Sequence, residues 1–162
     1  MYRMAILAIV VTSEDTSLDA DKVIAMALVH DIAEAQTGDL TPLCKVPEDV
    51  KHDKEQRAMD HFMRLLHNSP AATRISGLWK EYEARKTPEA RLVKDLDRFE
   101  LCLQALEYEY GASVLTAHDI RDLQPFYESA IAKIESPRVQ RWARLVAHRR
   151  ATLWKARGVV YS

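Results

Sequence analysis

The sequence predicts an all-α fold, a compact single-domain bundle of about six or seven helices. Three observations carry that expectation. Gly and Pro are scarce, at 4 and 6 in 162 residues, and Asn68 is the single Asn, so the turns that strands need are under-supplied. Ala, Leu, Glu, Lys and Arg, the strong helix formers, are plentiful. Apolar residues recur at helical spacing through most of the chain. A length of 162 residues suits one domain, and 48% hydrophobic content suffices for a buried core.

The elements follow in order. Met1 to Val11 is apolar almost all round and reads as a helix inside the domain, with no cap residue before it. Its apolar run is too short to span a membrane, and no small-residue cleavage site follows. After a polar loop, a second helix is expected from Leu18 to Ala35, with Ile24, Leu28 and Ile32 as core stripe. Gly38, Pro42 and Pro47 mark the next loop, from Gln36 to Pro47. A third helix runs from Pro47 or Glu48 to about His67. Its charged first turns should be solvated, and Ala58, Phe62 and Leu65 or Leu66 should form its buried side. A fourth covers Ala71 to Arg85. Thr87-Pro88-Glu89 reads as N-cap, first-turn Pro and first-turn acid of a long helix that ends near Tyr110 and Gly111. Leu92, Leu96, Phe99, Leu103 and Leu106 make its stripe. A sixth helix starts near Asp119 and a seventh spans Pro137 to Arg157.

The charge balance, 23 Lys+Arg against 24 Asp+Glu, argues against a nucleic-acid binder. Two cysteines build no disulfide framework, so a reducing, cytoplasmic or otherwise intracellular setting is expected.

Three His-Asp pairs occur, and their surroundings separate them. His52-Asp53 lies in a charged, solvated run, and His118-Asp119 precedes a helix that Asp119 would cap, so neither His is expected to bind metal. His30-Asp31 sits within the apolar run Ala25 to Ala33. A buried carboxylate needs a hydrogen-bonded partner or a metal. Asp97 likewise interrupts the row Val93, Asp97, Leu101; its partner is either Lys94 or Arg98, or a metal shared with His30 and Asp31. Asp95 falls on another face and is expected to be solvated. Glu34 follows Asp31 by one turn and Asp39 follows Gly38, which puts one imidazole and three carboxylates within ten residues. Such donors suit a divalent ion of the Mn, Mg or Co type.

The stretches Met1 to Ala5, Ala27 to Glu34, Gly38-Asp39 and Leu92 to Asp97 resemble the HD-domain metal-dependent phosphohydrolases, above all the HD-domain 5'-deoxynucleotidases. Leu78 to Glu83 and Gln104 to Glu109 resemble the eukaryotic branch. The resemblance implies an all-α, usually homodimeric phosphomonoesterase that hydrolyses deoxyribonucleoside 5'-monophosphates. It implies metal ligation by His30, Asp31 and Asp97, and a catalytic or second-ion role for Glu34 and Asp39, with the Leu40 carbonyl. Lys94 is the expected phosphate contact, with Lys51 and Lys54 more simply solvated. The partners expected are a nucleotide substrate and a second copy of the chain, with no nucleic acid and no membrane. The family's first metal ligand is a His directly before the residues matching Met1 to Ala5, whereas no His precedes His30 here. The resemblance therefore implies an N-terminally truncated form. It leaves two alternatives: a catalytically impaired helical dimerisation module, or another HD phosphohydrolase acting on cyclic nucleotides or nucleoside triphosphates.

Overall fold

The structure is a computed structural model that describes residues 1–40, 44–111, 123–124 and 127–157. Seven helices are delimited among the described residues: α1 (Tyr2–Thr12), α2 (Ala20–Val29), α3 (Glu34–Thr37), α4 (Glu48–Leu65), α5 (Pro70–Ala84), α6 (Pro88–Gly111) and α7 (Pro137–Ala156). Residues 127–131 add a further helical turn, and the described residues contain no strand. No described helix is long and apolar enough to cross a membrane. The chain forms two compact units, Met1–Ala90 and Arg91–Ser162.

In the first unit α1 packs on α2, α2 on α5, and α4 on both α3 and α5. The helix starts follow local chemistry. Asp19 caps α2 by accepting the Lys22 N–H at 3.0 Å, and Ser69 caps α5 before Pro70. Thr87 Oγ1 accepts the Ala90 N–H at 3.3 Å, so Thr87-Pro88-Glu89 opens α6 as expected. Glu89 also receives Lys22 at 3.2 Å, and Lys22 reaches Glu81 at 2.6 Å.

Several expectations need correction. α1 is not buried all round: Met4, Ala5, Ala8 and Val11 are buried, while Tyr2, Ile6, Ile9 and Val10 are exposed. Packing on a neighbouring helix covers one face, whatever the composition of the other. α2 ends at Val29, and a separate short α3 follows before Gly38 turns the chain at φ 72°. The buried side of α2 is Val23, Met26 and Ala27, one position away from the expected stripe, and Leu28 is exposed. On α4, Ala58 and Met59 are buried and Phe62 packs against them, but Leu65 and Leu66 are exposed. Glu55, expected in solvent, is buried.

In the second unit the α6 stripe is as expected for Leu92, Leu96, Phe99 and Leu106, all buried. Phe99 meets Trp142 of α7 at a ring separation of 5.7 Å. Glu109 is fully buried and accepts from Arg150 Nε at 3.0 Å and Trp154 Nε1 at 3.1 Å. The Arg150 guanidinium lies 4.2 Å from the Tyr127 ring centre. The expected helix start at Asp119 lies outside the described residues, as does Pro42.

Candidate metal centre

His30 is the C-cap of α2, where its backbone N–H still bonds to the Met26 carbonyl at 3.0 Å. Its side chain is buried. Nδ1 lies 3.1 Å from the Ala27 carbonyl, which can only accept, so the ring hydrogen sits on Nδ1. Nε2 then turns a lone pair toward Asp31 Oδ2 at 2.8 Å. Two acceptors that close require a second proton on the ring or a cation between them. The Nδ1-to-carbonyl bond is also what fixes an imidazole for metal ligation. Tyr82 of α5 packs edge-on against the ring, with centroids 4.9 Å apart.

Glu34 opens α3, and its backbone N–H bonds to the Asp31 carbonyl at 3.0 Å. Half-buried, its carboxyl is pushed up to about 7, chiefly by burial and then by the negative charges of Asp31 and Asp39, against the pull of Lys51. Asp39 itself is exposed. The Leu40 carbonyl accepts from Lys51 Nζ at 3.3 Å, and Lys51 also faces Glu55 at 3.6 Å. The first unit thus brings His30 and Asp31 into contact and sets Glu34 in the field of Asp31 and Asp39. An imidazole and carboxylates confined to a few residues fit a hard divalent cation.

In the second unit, Asp97 is half-buried and receives Lys94 Nζ at 2.8 Å, the local partner that the sequence allows. Arg98 does not serve Asp97; it pairs with Asp95 at 3.2 Å. The expectation that Asp95 is solvated is wrong. It is buried, and its Oδ2 accepts the backbone N–H groups of Glu135 at 3.0 Å and Ser136 at 2.7 Å. Ser136 makes no side-chain cap bond, and Asp95 instead holds the backbone that leads into α7 from another helix. No signal within the local pattern around Asp95 identifies a partner forty residues away.

His52 is exposed and stacks on Trp79 at 6.1 Å, beside a cavity of about 330 Å³ also lined by Gln56, Lys80 and Glu83. His118 lies outside the described residues. Sequence reasoning missed the buried position of Glu55 and the half-buried position of Lys51, because both stand in a run of charges that reads as a solvated face.

The family model described as HD domain matches residues 1–140. The chain is 43% identical over 139 residues to 5'-deoxynucleotidase HDDC2 of Xenopus laevis, covering 86% of this chain and 65% of that protein. It is 39% identical over 139 residues to 5'-deoxynucleotidase HDDC2 of Homo sapiens, covering 86% and 64%. The chain therefore spans slightly less than two thirds of the length of these relatives. Among solved structures it is similar to the HD domain-containing protein YGK1, with a TM-score of 0.70, 27% identity and coverage of 95% of this chain and 76% of that one. It is also similar to a protein from Magnetospirillum magnetotacticum described as a predicted metal-dependent phosphohydrolase, with a TM-score of 0.62, 28% identity and coverage of 94% and 77%. With the match running through the His30-Asp31 pair and on past Asp97, this chain belongs to the HD-domain family.

Proposed function

We propose that the chain is a metal-dependent phosphomonoesterase that releases phosphate from deoxyribonucleoside 5'-monophosphates. The observation that carries the reading is the His30–Asp31 pair, a buried imidazole whose Nδ1 is tied to a carbonyl and whose Nε2 faces a carboxylate at 2.8 Å. The 5'-deoxynucleotidase names of the curated relatives support the substrate class. By the family resemblance His30, Asp31 and Asp97 are the proposed ligands of the ion, with Glu34, Asp39 and the Leu40 carbonyl available to it or to a second one. Mn, Co or Mg suits these donors. When bound, such an ion supplies an acidified water and positive charge for the phosphate oxygens. Glu34, half-buried beside the charges of Asp31 and Asp39, is the proposed general base or acid. Lys94 is the proposed phosphate contact. The reading extends to a homodimer of single HD-type domains in a reducing, intracellular setting.

Elemental analysis of the purified chain and a phosphate-release panel of deoxy-, ribo- and 3'-monophosphates test it together. A bound divalent ion and fastest release from the deoxy 5'-monophosphates are expected. His30→Gln and Asp31→Asn should each weaken metal binding by at least about 10–100-fold. Equal rates across the panel would leave only a general phosphatase. A metal content that both variants leave unchanged would remove the site.

A further inference from the structure

The near-neutral net charge hides a segregation. Residues 136–157 carry six Arg and one Lys and not one Asp or Glu, so the rest of the chain bears a net charge of -8. This stretch is α7 with its flanking residues, and most of it lies beyond the 1–140 HD match. Its apolar side, with Val139, Ala143, Val146 and Trp154, is buried. The opposite side is exposed and carries Arg141, Arg144, His148, Arg149 and Lys155. Arg141, Arg144, His148 and Lys155 stand at helical spacings of three, four and seven, so they form one row of about 21 Å on a rise of 1.5 Å per residue, and Arg149 lies about a third of a turn to one side of it. Among the described residues, none of Arg141, Arg144, Arg149 or Lys155 has an acidic partner, and α7 itself offers none.

Such a row is costly to assemble for stability alone, because like charges three and four apart on a helix repel. We propose that the exposed face of α7 docks the phosphate backbone of a nucleic acid, through Arg141, Arg144, Arg149 and Lys155. Three of the four cations are Arg, whose planar fork matches phosphate oxygens in pairs. A nucleic-acid backbone is the ligand that presents negative charges in a regular line long enough to follow the row from Arg141 to Lys155, with a neighbouring phosphate for Arg149 on its flank. A membrane surface fits less well. The apolar side of α7 is turned into the protein, and Leu145, 62% exposed, is the one large apolar side chain on the outward face.

The test is fluorescence anisotropy of a labelled DNA duplex of about 20 base pairs, titrated with the whole chain. Four neutralised phosphates predict a slope of log K against log salt near -0.9 per contact, or about 100-fold weaker binding on going from 50 to 200 mM salt. The quadruple variant R141Q/R144Q/R149Q/K155Q should lose at least about 30-fold in affinity at low salt and most of that slope. It should keep its helix content and melting temperature. A control that removes four exposed cations of the first unit, K45Q/R57Q/R64Q/R74Q, should retain the slope. The proposal is overturned by any of three results: no salt-dependent binding by the native chain, equal loss in the control, or binding to phosphatidylserine vesicles with none to the duplex.

Discussion

Glu109 has no exposed surface, and its carboxylate is answered by Arg150 and Trp154. Replacing Arg150 with Met would strand that charge in the interior of the second unit. The expected loss is about 3–5 kcal/mol, read by denaturant or thermal unfolding. A loss under about 1 kcal/mol would mean that water reaches Glu109 after all. Glu55 poses the complementary question. Burial pushes its carboxyl up, and Lys51 opposes the rise. A raised native pKa means that the folded chain binds the proton more tightly than the unfolded chain. The resulting stabilisation is full below the ordinary value of 4.5 and is lost as pH rises through the native one. Glu55→Gln escapes that loss. The melting temperature of the variant, minus that of the native chain, should therefore grow as pH rises from acidic to neutral. A difference that stays flat with pH would show the carboxyl to be solvated in solution.

At the scale of elements, the helix starts are where the sequence is most readable. The starts expected at Ala71, at Thr87-Pro88-Glu89 and at Pro137 each fall within a residue of the observed beginnings, Pro70, Pro88 and Pro137. Pro fixes φ for the first turn, and the Ser69 and Thr87 side chains answer backbone N–H groups there, so the information is local. The rotational phase of α2 was not readable. Val23, Ile24, Met26, Ala27 and Leu28 are all apolar, and a helix apolar over so wide an arc does not declare which part faces the core. The His30-Asp31 pair was legible because two polar residues interrupt an apolar run. Asp95 was not, because its partners come from residues 135 and 136. That long-range cap yields an element-scale expectation. Asp95→Ala leaves the backbone N–H groups of Glu135 and Ser136, which lead into α7, to solvent, and the lost bonds to a charged acceptor should cost about 1.5–3 kcal/mol. Hydrogen exchange should quicken at amides 135–140 while the middle of α6 stays protected. Unchanged exchange there would mean that solvent already satisfies that helix end.

At the scale of the whole molecule, the two units carry opposite charge. Residues 1–90 hold 11 Lys+Arg and 15 Asp+Glu, and residues 91–162 hold 12 and 9. Opposed lobes on separate molecules attract where screening is weak and stop doing so beyond a Debye length of about 10 Å, reached near 0.1 M salt. Light scattering should therefore give a larger average mass in dilute buffer than in moderate salt. A mass independent of salt would show that the lobes do not meet in solution.

The two thiols divide in another way. Cys102 is buried, and burial pushes its pKa up to about 11, so it offers neither access nor thiolate at neutral pH. Cys44 is exposed, four residues beyond Leu40 and shortly before α4 begins. A maleimide dye added to the native chain would thus attach at one place without any cysteine being mutated. That place adjoins the segment bearing Asp39 and Leu40, so the dye would report on the candidate centre as metal or nucleotide is added. Slow appearance of a second label, at Cys102, would serve as a clock for opening of the second unit.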